Sequence, residues 1–114
     1  MLTSSAKAKG RRACKRLKEE LLKKFPELEP NDIKVTPSGV TGEDLLLSPK
    51  AERVFSYVLE VKCQERLNVF RALEQALSHV KGGSGRKPLL VFTRNREELY
   101  VALKLKDFLQ ELKK

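Results

Sequence analysis

Residues 42–62 read GEDLLLSPKAERVFSYVLEVK. Two apolar runs flank a polar centre, and the spacing predicts two short strands joined by a turn near Glu52. Asp44 opens the first strand; Glu60 and Lys62 close the second. Paired antiparallel about that turn, Asp44 faces Glu60. Glu60 and Lys62 are two apart, so their side chains leave one face of the strand while Val61 points to the other. Two carboxylates and an ammonium then converge at one end of a hairpin. Carboxylates held that close repel unless a positive group lies between them.

Outward from this stretch, the N-terminal side divides into three parts. Residues 1–9 are small, polar and basic, which predicts a flexible basic arm. Ala13, Leu17, Leu21 and Phe25 recur every four residues and predict a helix over 10–25, stopped by Pro26. After a turn at 27–31, DIKVTP (32–37) reads as a short strand. SGVTG (38–42) is the loop that feeds the hairpin.

Beyond Lys62, the polar CQER segment leads to a second helix capped by Asn68. Val69, Ala72, Leu73, Ala76, Leu77 and Val80 supply its apolar stripe. KGGSGRK (81–87) is a basic, glycine-containing crossover. It lacks the G-x-x-x-x-G-K-[ST] pattern of a phosphate-cradling loop and does not lead from strand to helix. PLLVFTR (88–94) and LYVALKL (99–105) form a hairpin about residues 95–98. A last helix over 106–114 turns Phe108, Leu109 and Leu112 inward. The predicted order is α-β-β-β-α-β-β-α. It builds an α/β domain over residues 1–114, a mixed five-stranded sheet with flanking helices.

Composition narrows the partners. A chain of 114 residues with 40% hydrophobic content suits one core. No apolar run approaches the roughly 20 residues that cross a bilayer, and the start of the chain has no signal-peptide stretch, so a cytoplasmic protein is expected. Cys14 and Cys63 lack metal-ligand spacing and read as free thiols. The net charge of +9 argues for an anionic partner, nucleic acid first, and against a small-molecule substrate. Residues 1–24 hold nine Lys or Arg against Glu19 and Glu20. Lys7, Lys9, Arg11, Arg12, Lys15 and Arg16 are the expected nucleic-acid contacts.

Asp44, Glu60 and Lys62 suit metal-dependent hydrolysis of a phosphodiester. Mg²⁺ takes one or two carboxylates, keeps several waters and accepts a substrate phosphate oxygen. Asp44 and Glu60 are the expected ligands, with the Val61 carbonyl a third; Mn²⁺ is the alternative ion. Lys62 is placed to orient the attacking hydroxide and offset charge developing at phosphorus. Glu43 points to the opposite strand face and is the weaker candidate ligand. The competing reading makes Glu60 and Lys62 a solvated strand face and Asp44 a turn residue. Gln75 is a candidate for ordering water in the site, set against a solvent-facing helix position. His79, near a helix end, reads as a surface residue.

The pattern Gly42, Glu43, Asp44 … Leu59, Glu60, Val61, Lys62 resembles the PD-(D/E)xK nuclease motif. Most of the chain is similar to archaeal-type Holliday junction resolvases, including versions carried by phages. The likeness takes in Lys9 and Gly10 at the first helix, Ser38 and Gly39 before the acidic strand, then Glu60, Val61 and Lys62, then a helix and two strands. It implies a restriction-endonuclease-like homodimer that uses Mg²⁺ to cut opposed strands of a four-way DNA junction in a prokaryote or phage-infected host. It implies Asp44 and Glu60 as metal ligands, Lys62 as the catalytic lysine and Ser38 as a loop residue near the active site. The archaeal enzymes typically add a first-helix Glu four residues after the Lys-Gly pair; that position is Cys14 here. Two alternatives stand beside the resolvase: a nicking or repair nuclease with the same motif, and a basic nucleic-acid-binding domain with no catalysis.

Overall fold

The computed structural model describes residues 4–37 and 39–112; Ser38 lies outside the described residues. The first element is a helix, α1 (Ser4–Lys24). Residues 4–9 are therefore its opening turns and not a flexible arm. Ala6, Lys7, Ala8 and Lys9 are strong helix formers and carry the helix back through Gly10. Ala13, Cys14, Leu17 and Leu21 bury its inner face.

A 3-10 turn (Pro30–Asp32) leads to β1 (Ile33–Val35), which pairs antiparallel with β2 (Leu45–Leu47) in the register Ile33 with Leu47 and Val35 with Leu45. The expected hairpin between β2 and the next strand does not form. Ser48 caps a short helix, α2 (Pro49–Val54), by accepting the Ala51 N–H at 3.1 Å, and Pro49 presets its first turn. Residues read as strand and turn are thereby taken into helix. The same Ser48 hydroxyl donates to Asp32 Oδ1 at 2.7 Å, and Asp32 Oδ2 accepts the Glu29 N–H at 2.7 Å. Asp32 thus ties the 3-10 turn to the start of α2.

The next strand, β3 (Tyr57–Cys63), lies in a second sheet. It is parallel to β4 (Lys87–Thr93), and β4 is antiparallel to β5 (Tyr100–Ala102), giving the order β3-β4-β5. The five strands therefore form sheets of two and three, not one sheet of five. Val58, Leu59 and Val61 of β3 and Leu89, Leu90 and Val91 of β4 are all buried, the continuous apolar run of strands covered on both faces. Their crossover is α3 (Val69–Ser78), capped as expected by Asn68, which accepts the Arg71 N–H at 3.0 Å. Ala72 and Ala76 are its buried residues. The β4–β5 hairpin forms where the sequence indicated.

The order is thus α-β-β-α-β-α-β-β-α with the 3-10 turn after α1. The main core joins α1 through Ala13, Cys14, Leu17 and Leu21 to Ile33, Leu45, Leu59, Val61, Leu89 and Val91. The last helix, α4 (Leu105–Glu111), departs from expectation. Phe108 and Leu109 are about half exposed, as is Leu112 just beyond it, and Asp107 is the residue that α4 buries. Polar contacts hold it instead: Tyr57 Oη donates to Glu111 at 2.5 Å, and Lys87 Nζ to Gln110.

Candidate functional site

Asp44 sits just before β2, where the two sheets meet. Its N–H donates to the Leu59 carbonyl at 3.2 Å, and its Oδ2 accepts the Val61 N–H at 2.6 Å. These bonds bring Asp44 to the free edge of β3 without a β2–β3 ladder. In an extended strand a residue's N–H and carbonyl leave the same edge, so the Val61 carbonyl lies on the Asp44 side, away from β4. Glu60 is 6% exposed. Lys62 Nζ lies 3.2 Å from Glu60 Oε2. Asp44, Glu60, Val61 and Lys62 all line one cavity of about 460 Å³.

The rest of the cavity wall comes from α1 and the loop after β1. Ala6, Lys7, Gly10, Arg11 and Cys14 supply the helix side; Thr36, Pro37, Gly39 and Val40 supply the loop side. Thr36 donates its N–H to the Asp44 carbonyl at 3.0 Å and its hydroxyl to the Glu43 carbonyl, holding the loop to the acidic segment. Glu43 turns away from the cavity, as expected. It forms a bidentate pair with Arg86 at 2.6 and 3.0 Å. Arg86 also donates to the Tyr57 carbonyl at 2.8 Å and lies 3.6 Å from Glu52. One guanidinium thus clamps the approach to Asp44 onto the start of β3.

The electrostatics are those of acids held in a poorly hydrated place. Burial raises the Asp44 carboxyl above the ordinary range, against the Val61 N–H and the charges of Lys62 and His79. Burial first, and then Asp44, raises Glu60 likewise, and Lys62 does not cancel the effect. Burial, with both carboxylates nearby, pushes the Cys14 thiol up to about 12. A divalent cation would relieve all three. Two carboxylates, one backbone carbonyl and room for water match the needs of Mg²⁺, so the donor set fits the ion. Among the described residues no cluster of three His, Cys, Asp or Glu side chains is arranged to hold a metal.

The six basic residues of α1 expected to contact nucleic acid divide. Lys7 and Arg11 line the carboxylate cavity; Lys9, Arg12 and Arg16 line a neighbouring cleft; exposed Lys15 lines neither. Gln75 is solvent-exposed. His79, expected at the surface, is half-buried at the end of α3, and its charge reaches Asp44 and Glu60. Sequence reasoning missed Arg86, whose partners Glu43 and Tyr57 lie 43 and 29 residues earlier in the chain. It also missed Arg94 and Arg96, although two arginines two apart at the β4–β5 connection were a visible signal. Comparison with family models, with curated proteins and with solved structures finds no match to this chain. Among the described residues, no helix is long and apolar enough to cross a membrane.

Proposed function

We propose that this protein is a Mg²⁺-dependent endodeoxyribonuclease selective for branched DNA, a resolvase of four-way junctions acting as a homodimer. The observation that carries the reading is the convergence of Asp44, Glu60 and Lys62 on one cavity whose opposite wall is the basic helix α1. Asp44, Glu60 and the Val61 carbonyl would hold the ion, which when bound polarises a phosphate and makes water a stronger nucleophile. Glu60 holds the Lys62 ammonium at the cavity, where it orients the nucleophile and offsets charge gained at phosphorus. Lys7 and Arg11, across the cavity, neutralise phosphates beside the scissile bond. A two-fold dimer would present two such sites to two symmetric strands.

The test is cleavage of a synthetic four-way junction beside its linear duplex arms, with Mg²⁺ or EDTA. Paired symmetric nicks in the junction alone, lost in EDTA, are expected. Asp44→Asn keeps an oxygen for the Val61 N–H and should bind the junction while cutting it on the order of 10²-fold more slowly, or worse. Normal cutting by Asp44→Asn would remove the metal-site assignment. Equal cutting of linear DNA would favour a nicking or repair nuclease.

A second reading has its own observation. A thiol, Cys14, faces the two carboxylates where the resembled enzymes carry a third acid. A basic domain that grips nucleic acid without cutting it would show tight, salt-sensitive binding and no Mg²⁺-dependent cleavage.

A further inference from the structure

A second cavity, of about 550 Å³, lies beside the carboxylate site. Lys9, Arg12, Ala13 and Arg16 form one wall, from one side of α1. Arg94, Asn95 and Arg96, from the β4–β5 turn, form the other, with Cys63 and Thr93 at the strand ends between them. Five of its nine lining residues are cationic, and among the described residues no carboxylate lines it. Cys63 lines both this cleft and the carboxylate cavity, and Lys9 and Cys63 also line a small cavity with Gln64 and Asn95. The cleft thus runs on from the acidic site along the C-terminal ends of β3 and β4.

The turn is rigidly built. The buried Thr93 hydroxyl lies within hydrogen-bond reach of the Glu98, Arg94 and Glu97 carbonyls at 2.7, 3.1 and 3.2 Å. Arg16 Nη2 donates to the Glu97 carbonyl at 3.1 Å, joining the turn to α1 across the cleft. The Asn95 N–H donates to a Glu65 carboxylate oxygen at 3.1 Å. Arg96 is held at φ 61°, in the left-handed region that a branched-free but bulky side chain rarely adopts. Such strain persists where surrounding contacts impose it, and it clusters at functional sites. Glu97 lies 3.5 Å from Arg94 Nε and cancels part of that arginine's charge.

We infer that this cleft is a phosphate track that holds the DNA strand flanking the one over Asp44 and Glu60, with Arg94 and Arg96 as its second wall. This rests on the nuclease reading for the identity of the polyanion. From Lys9 to Arg16 is seven residues, about 10 Å along the helix. That length is enough to hold more than one phosphate of a strand. Cations on both walls grip a backbone by charge and read no bases, as selection by branch shape requires.

The experiment is binding of a fluorescent four-way junction in EDTA, over a series of salt concentrations, so that no cleavage intrudes. The proteins are the wild type, Arg94→Gln with Arg96→Gly, and Glu97→Gln. Glycine suits the left-handed backbone at position 96, so the double variant should melt no lower than the wild type. Its plot of log affinity against log salt is expected to be shallower by about 1 to 2, the loss of one or two phosphate contacts. Glu97→Gln, by freeing Arg94, should bind several-fold more tightly at low salt. An unchanged slope in the double variant, or no junction binding by the wild type, overturns the inference. The nuclease reading stands or falls separately, on Mg²⁺-dependent cutting by the wild type.

Discussion

Arg86 shows how much of this site depends on a residue that does no chemistry. Its side chain is 11% exposed and its guanidinium reaches Glu43, Glu52 and the Tyr57 carbonyl. Removing one partner of a largely buried ion pair leaves the other charge stranded, at a cost of about 3 kcal/mol. Arg86→Ala should therefore lower stability by about that amount in urea melts. Arg86→Lys should recover little, because an ammonium cannot reproduce the bidentate fork. Junction cutting should fall with both, since the clamp holds the segment that places Asp44. Cys14 permits a separate check. With its thiol pushed up to about 12, it is almost wholly protonated at pH 8. Brief alkylation of the native protein at that pH should leave Cys14 unmodified, and urea should expose it; mass spectrometry of the peptides reads both.

At the scale of elements, two helix starts carry the departures from the sequence reading. Gly10 lies inside α1, and a Cβ there would meet nothing within 4 Å. Gly10→Ala should raise stability by about 0.5–1 kcal/mol, a gain that a flexible arm would not show. The cap of α2 is the other start. Ser48→Ala should cost about 1 kcal/mol at neutral pH. Ser48 and the Glu29 N–H hold the Asp32 carboxyl below its ordinary value of 3.8. A depressed folded value gives stability above the unfolded value that is lost as pH falls through the folded one. Removing the hydroxyl should therefore flatten the acid limb of the stability profile below about pH 4. Urea melts of Ser48→Ala and wild type between pH 2 and 7 would show it; parallel acid limbs would mean that Ser48 does not set the Asp32 charge.

For the whole molecule, the acidic site is a source of tension that a bound cation would remove. Asp44 and Glu60 are both raised by burial, so their ionised forms weaken the fold at neutral pH. Mg²⁺ at about 100 times its Kd should add about 2.7 kcal/mol, or a Tm rise near 10 °C at about 4 °C per kcal/mol. Asp44→Asn should abolish most of that rise. An equal rise in both proteins would place the ion elsewhere.

Local pattern was enough for α1 beyond Gly10, for Asn68 as the cap of α3 and for the β4–β5 hairpin. Each rests on neighbours within a few turns or one tight loop. The meeting of Asp44 with Glu60 and Lys62 was legible too, though by a route the sequence does not describe. The partners of β2 and β3 were not legible. The same apolar run of β3 could close a hairpin with β2 or lie parallel to β4, and the choice turns on Ser48 and Pro49 starting a helix and on α3 spanning the crossover. The outward apolar face of α4 was missed because helical periodicity marks a stripe without saying that anything covers it. Which residues are charged, and with which sign, was thus determined by the sequence itself. The division into two sheets, the Arg86 clamp and the pairing of α1 with the β4–β5 turn across a basic cleft were decided by tertiary structure alone. They depend on contacts between residues tens of positions apart, and those are set by which surfaces pack together.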